Sequence, residues 1–93
     1  MIVRIATEGQ YQIDSDTVDR LNEIDTQLMT AVQNNDEVEF ERLLADLLGM
    51  VRQSGRAVPT GQIVESDLIL PPPDTSIEEA RRLFTVDGLI PQP

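Results

Sequence analysis

Two runs of helical periodicity decide the fold of this chain, and both lie in residues 15–55, SDTVDRLNEIDTQLMTAVQNNDEVEFERLLADLLGMVRQSG. In each run the apolar residues recur at steps of three and four, which places them on one face of a helix. The first face consists of Val18, Leu21, Ile24, Leu28 and Val32. The second and broader face, which predicts the more buried helix, consists of Phe40, Leu43, Leu44, Leu47, Leu48 and Val51.

Polar residues and a glycine mark the ends of both helices. The segment from Asp14 to Asp16 offers side-chain oxygens for an N-cap, and Asp36 stands three residues before Glu39, as in a capping box. Gly55 suits the left-handed conformation that often ends a helix. We therefore predict helix 1 at 15–34 and helix 2 at 36–54. The turn between them is so short that they should pack as an antiparallel hairpin.

The N-terminal segment has the pattern of a β-hairpin. MIVRIA is rich in β-branched residues, a glycine turn follows in TEGQ, and YQI supplies a second short extended run. Two such runs with a short glycine-containing loop between them predict a hairpin over residues 1–13. Strands this short need helices packed on one face to be stable.

A connector at 55–75 leads to the last helix. Either Ile63–Val64 or Leu68–Leu70 could add a strand to the sheet. At the end of the connector, three prolines at 71–73 each fix φ at about −65° and predict a stiff polyproline II arm. A ligand for an SH3-type module is disfavoured, because Asp74 stands where the second proline of a P-x-x-P pair belongs.

The arm mounts a short third helix. Ser76 and Glu79 form an S-x-x-E capping box, which predicts helix 3 at 76–86, followed by a tail at 87–93. Because 93 residues leave room for one core, we expect a single domain over 1–93. Its predicted class is α+β and mainly α, with the hairpin first and the proline-rich arm carrying the last helix.

The composition argues against catalysis. The chain has no histidine, cysteine or lysine, so the common general base, thiolate nucleophile and Schiff-base amine are all missing. We expect no catalytic residue, no bound cofactor and no metal site. Asp14, Asp16 and Asp19 resemble the start of a calcium loop, but the glycine and terminal glutamate of such a loop are absent, so capping is favoured.

The charge indicates what kind of partner the chain prefers. The chain has seventeen acidic residues and seven arginines, which gives a net charge of −10. Such a chain repels phosphate backbones, so we expect no direct nucleic-acid binding, and basic protein surfaces are the favoured partners. Solubility alone is the alternative explanation. We see no signal peptide and no membrane-spanning segment, and expect a cytoplasmic protein without direct membrane insertion.

Six residues are candidates for partner binding. The adjacent pair Arg81 and Arg82 either satisfies the end of helix 3 or contacts a partner. The apolar residues in or beside irregular segments either plug the core or form a docking patch. These apolar candidates are Leu68, Leu70, Leu89 and Ile90.

Four stretches together resemble a known family. They are MIVRI..EGQY at the start, VDRLNEID..L..AV in helix 1, SDLILPPPD.S.EEAR.LF, and the closing DGLIP. In this order they resemble the PspA-associated protein family (PspAA) of bacteria and archaea, small proteins encoded beside a homologue of phage-shock protein A. The resemblance covers essentially the whole chain, although no single motif in it is chemically diagnostic.

The resemblance implies a largely trihelical, non-catalytic adaptor in an envelope-stress (phage-shock-type) response. Its expected partner is a helical, membrane-remodelling PspA-type protein, through which it would become membrane-peripheral. Two other functions stay open. One is an acidic nucleic-acid mimic or antitoxin-like regulator of a basic protein. The other is a homodimeric structural module that pairs through the edge of the hairpin.

Overall fold

The computed structural model describes residues 1–62 and 64–83 of the chain. Its strands are β1 Ile2–Ile5, β2 Gly9–Gln12, β3 Arg56–Ala57 and β4 Leu68–Leu70. Its helices are α1 Ser15–Gln33, α2 Glu37–Ser54 and α3 Ile77–Leu83. The predicted class is confirmed: an N-terminal hairpin precedes two long helices and a short third one. The predicted residues 84–86 of helix 3 and the tail at 87–93 lie outside the described residues.

The described strands form one sheet in the order β3-β2-β1-β4. β1 pairs antiparallel with β2 and parallel with β4, so Val3 lies between Tyr11 and Leu68. Of the two strand alternatives in the connector, Leu68–Leu70 forms β4, and Ile63 lies outside the described residues. Both hairpin strands therefore have neighbours on each side. The edges of the described sheet are β3 and β4, not a hairpin strand as a hairpin-edge dimer would require.

One face of the sheet and the apolar faces of the helices share a single core. Val3, Ile5, Leu68 and Leu70 are buried on the sheet side. On the helices the buried apolar residues include the whole predicted face of α2. Burying a side chain of this kind contributes about 1.5–3 kcal/mol to stability, so this cluster dominates the fold.

The buried face of α1 is rotated from the predicted one. Val18 and Ile24 are only half-buried, whereas Thr17 and Asp25 are buried. α1 packs mainly against α2 and also contacts α3, so its buried face is set by packing against its neighbours as well as by the hydrophobicity of each position. Asp25, 1% exposed, takes part in a polar interaction, as a buried carboxylate requires.

The predicted caps explain where the long helices begin. Asp14 accepts a hydrogen bond from the Thr17 backbone N–H at 2.8 Å, and Asp36 accepts one from the Glu39 N–H at 3.2 Å. Asn35, with φ of 55°, makes the turn between the helices in the left-handed region that asparagine tolerates.

Gly55 ends α2 for a different reason from the one predicted. Its φ of −85° and ψ of 159° are extended, not left-handed. A Cβ at this position would lie 2.6 Å from the Val51 carbonyl oxygen and 3.0 Å from the Tyr11 Cβ. Glycine is needed here because the chain passes close to the helix end and β2.

The segment after β4 leads the chain back towards the helices. Pro71 is buried, and the Thr75 N–H donates to the Pro72 carbonyl at 3.1 Å, which closes a turn just before α3. The polyproline II conformation of residues 71–73 stays a prediction. Of the two predicted capping boxes, the one at Ser76 and Glu79 is complete: Ser76 Oγ accepts from the Glu79 N–H at 3.1 Å, and Glu79 Oε1 accepts from the Ser76 N–H at 3.4 Å. The one at Asp36 is only half formed, because the Asp36 N–H donates to the Ala31 carbonyl instead.

Candidate partner-binding surfaces

The pleat of β4 separates its three apolar side chains. Leu68 and Leu70 are buried in the core, whereas Ile69 is 62% exposed. Alternate residues of a strand point to opposite faces of a sheet, so only Ile69 reaches the outer face. The sequence left open whether this segment plugs the core or forms a docking patch. The structure buries Leu68 and Leu70 in the core, so their side chains offer little surface for direct contact with a partner.

Ile69 lies on a polar outer face. Its neighbour across the pair is the exposed Arg4, which in turn lies opposite Gln10. The Gln10 amide donates to the carbonyl of Val64 and the hydroxyl of Ser66, both at 2.8 Å. These hydrogen bonds hold the connector over the sheet on one side of Ile69. On the other side of Ile69, β4 forms an edge of the described sheet.

The two adjacent arginines of α3 have different surroundings. The Arg81 guanidinium donates to Asn35 Oδ1 at 2.7 Å and to the Val32 carbonyl at 3.2 Å. It therefore ties α3 to the C-terminal end of α1, where the negative end of the helix dipole favours a cation. Arg82 has an exposed side chain. Leu89 and Ile90, the other predicted binding residues, lie outside the described residues.

An acidic groove of about 250 Å³ lies where α2 and α3 begin. Its floor is apolar, formed by Phe40 and Ile77, and three carboxylates surround it, from Glu37, Glu41 and Glu78. Within the described parts of the chain, no group of three or more acidic side chains is arranged to hold a metal ion. The groove suits the aliphatic stem and charged head of a basic side chain.

A larger groove of about 540 Å³ runs between α1 and α2. Ile24 from α1 and Met50 from α2 line it with half-buried apolar side chains. Ala45 and Gly49 also line it and contribute almost no side chain. The sequence did not predict this groove, because helical periodicity assigns Ile24 to the buried face of helix 1. The helical spacing of two small residues on α2 was the available signal.

Ion pairs on the helical surface leave a surplus of negative charge. Arg42 pairs with both Glu39 and Asp46, and its hydrogen bond lowers the pKa of Glu39. Arg52 donates to both carboxylate oxygens of Glu8, at 2.6 and 3.0 Å, which raises the pKa of Arg52 and fastens the hairpin turn to α2. Arginine is scarce in this chain, and most acidic side chains of this surface are exposed to solvent.

Asp14 is held in its charged form. The hydrogen bond from the Thr17 backbone N–H is the main cause that lowers its pKa below the ordinary 3.8, and the Thr17 hydroxyl adds to it. A negative charge at this position also suits the positive end of α1. Among the described helices, none is both long enough and apolar enough to cross a membrane.

A comparison with models of known protein families gives a match over nearly the whole chain. A family model described as PspA-associated protein matches residues 1–92. Neither the search of curated proteins nor the search of solved structures found a match.

Proposed function

The chain belongs to the PspA-associated protein family, and from this membership we propose that it is a non-catalytic partner of a PspA-type protein. The observation that carries the proposal is the family match over residues 1–92, which includes every element of the fold. The setting we propose is the envelope-stress response that the resemblance implies. The protein would work in the cytoplasm and reach the membrane through its partner.

The charge of the surface supports binding to a basic protein. The chain carries a net charge of −10, and its long helices present most of their carboxylates to solvent. Opposite charge on a partner speeds encounter and makes it salt-sensitive, whereas buried apolar contacts set the lifetime of the complex. We propose that the partner presents a basic helical surface.

A non-catalytic role agrees with the available side chains. The chain has no histidine, cysteine or lysine, and several of its carboxylates serve as helix caps and ion-pair partners. Asp25 is buried in the core, away from solvent. The adaptor role needs none of the chemistry that these residues would supply.

The predicted binding residues divide into two proposed roles. Arg82 would contact the partner directly, as would Ile69, which was not among the predicted residues, because both side chains are exposed. Leu68 and Leu70 would act indirectly by holding β4 in the sheet, and Arg81 by fixing α3 on α1. Direct contacts through Leu89 and Ile90 stay a prediction.

Co-purification with the PspA homologue of the same cell tests the proposal. We expect capture at low salt that weakens at about 1 M salt, where charges more than about 3 Å apart are screened. Failure at both salt concentrations, with the partner folded and present, would contradict the adaptor role.

A homodimer is the second candidate, and one observation favours it. β4 is an edge of the described sheet and carries the exposed Ile69, so two copies could pair there. The strand has only three residues, which limits the contact. Light scattering on the purified protein would detect such a dimer, and an Ile69→Lys variant should then be monomeric.

A further inference from the structure

We propose that the groove between α1 and α2 is the docking site for a basic, amphipathic helix of the partner. This inference rests on the proposed function, because it names the surface through which the adaptor would hold a PspA-type protein. Half of the groove's lining residues are apolar or lack a side chain, and the other half are polar or charged. The first group is Ile24, Ala45, Gly49 and Met50, and the second is Arg20, Asp46, Gln53 and Ser54.

Gly49 is the residue that the protein's own packing does not explain. Glycine inside a helix is less stable than alanine by about 0.5–1 kcal/mol. A Cβ at Gly49 would meet nothing within 4 Å, so the chain itself does not need glycine there. A helix lying in the groove would need it, because the distance between packed helix axes depends on the side chains at the contact.

The small residues continue along the outer face of α2. Ala45 lies one turn before Gly49, and Val38 follows the same face towards the start of the helix. Val38 is 80% exposed, the highest value among the large apolar side chains that the structure describes. Val38 lies outside the groove lining, and the charged Arg42 separates it from Ala45, so it offers a second, separate apolar contact on the same face of α2.

The half-buried side chains give the groove an adaptable apolar floor. Ile24 and Met50 pack against the core from outside and keep part of their surface exposed. Methionine adjusts to irregular partners because its side chain is unbranched and polarizable. Amphipathic helices dock into grooves of this kind through apolar residues at helical spacing. The lining residues of α2 run from Ala45 to Ser54, so the groove is about 14 Å long at 1.5 Å per residue.

The charge around the groove selects its occupant. Residues 14–54 contain ten acidic residues and three arginines. A second copy docked on this face would place two strongly negative surfaces together, which is repulsive. A basic helix gains attraction instead from the two helices as a whole, because the groove lining itself carries only one arginine, Arg20, and one carboxylate, Asp46, which pairs with Arg42. We therefore assign the groove to the partner and not to self-association.

A Gly49→Leu variant tests the assignment. Leucine favours helix, and the space around Gly49 is open, so the isolated protein should keep its fold and melt at a temperature equal to or above that of the wild type. The added side chain should lower the affinity for the purified PspA homologue at least about tenfold, because it overfills a helix–helix contact. The matched control is Gly61→Leu, another position with nothing within 4 Å, which should bind like the wild type.

The outcomes separate the groove from the function. Equal affinity of Gly49→Leu and wild type would overturn the groove assignment and leave the adaptor role standing. No binding by the wild type would overturn both. A wild-type dimer that Gly49→Leu converts to monomers would show that a second copy occupies the groove, which also overturns the assignment to the partner.

Discussion

Arg81 and Arg82 are adjacent and chemically identical, yet the fold uses them differently. Arg81 donates to the Asn35 side chain and the Val32 carbonyl, which joins α3 to the end of α1. Asn35 is also the left-handed residue of the turn between the long helices. One side chain thus fixes the third helix on the helical hairpin, while its neighbour projects into solvent.

The two arginines should differ in their effect on stability. Arg81→Ala should lower the free energy of unfolding by about 1–2 kcal/mol, because hydrogen bonds from a charged donor are lost. Arg82→Ala should change it by less than about 0.5 kcal/mol, as expected for a surface residue. Urea denaturation followed by circular dichroism measures both values. Equal losses in the two variants would contradict the structural role of Arg81.

Asp14 should make the stability of the fold depend on pH at the acid end. Its pKa is lower in the folded protein than the ordinary 3.8, chiefly because the Thr17 N–H donates to its charged form. The stabilisation is therefore fully present above pH 3.8 and is lost as the pH falls through the folded-state pKa.

An Asp14→Asn variant isolates this contribution. Asparagine also caps helices but does not titrate, so the cap stays while the charge is removed. Thermal melts should show the wild type as the more stable protein at neutral pH, with a difference that shrinks as the pH falls below 3.8. A difference that stays constant over the whole pH range would show that the charge of Asp14 contributes nothing.

At the level of elements, β4 shows that strand pairing decides which residues of an apolar run are buried. The run of Leu68, Ile69 and Leu70 is apolar throughout, so its periodicity does not say which side chains are buried. Parallel pairing with β1 decides the matter: Leu68 and Leu70 lie against the core, and Ile69 lies beside Arg4 on the outside.

Substitutions in β4 test this register. Leu70→Ala should cost about 2–5 kcal/mol, because a fully buried side chain leaves a cavity. Ile69→Ala should cost about 0.5 kcal/mol or less, because its side chain is largely exposed. Chemical denaturation of both variants gives the comparison. A larger loss for Ile69→Ala than for Leu70→Ala would mean that the strand is shifted by one residue.

The long helices were predictable because their signals are local. Regular apolar spacing and the caps at Asp14 and Asp36 lie within a few residues of the structure they specify. Long-range features were not predictable in the same way. The two-residue β3 exists only through its pairing with β2, and a Cβ at Gly55 would meet the distant Tyr11 and Ile13 as well as the nearer, local carbonyl oxygen of Val51.

The binding surfaces were less predictable than the fold. Asp25 enters the core and Ile24 leaves it because α1 is positioned by two neighbouring helices, which no local pattern encodes. The groove between α1 and α2 follows from that rotation. Leu68 and Leu70 are candidates for partner binding in the sequence because they belong to an apolar run in a connector. Only the pleat of β4 shows that both side chains point into the core.

At the scale of the whole molecule, the fold separates two kinds of surface. The long helices carry most of the negative charge and the groove between them, whereas the outer face of the sheet carries Arg4, Gln10 and Ile69. An adaptor built this way would attract a basic helical partner through charge and hold it through apolar contact. Added salt should therefore slow association with the partner, whereas substitutions in the groove should speed dissociation.

The most direct test is a titration of the purified protein with its PspA homologue across salt, from about 0.05 M to about 1 M. We expect saturable binding at low salt that weakens at least about tenfold at high salt, mainly through slower association. Absence of binding at low salt would contradict the adaptor role. Binding that is tight and unaffected by salt would contradict the part assigned to the acidic surface.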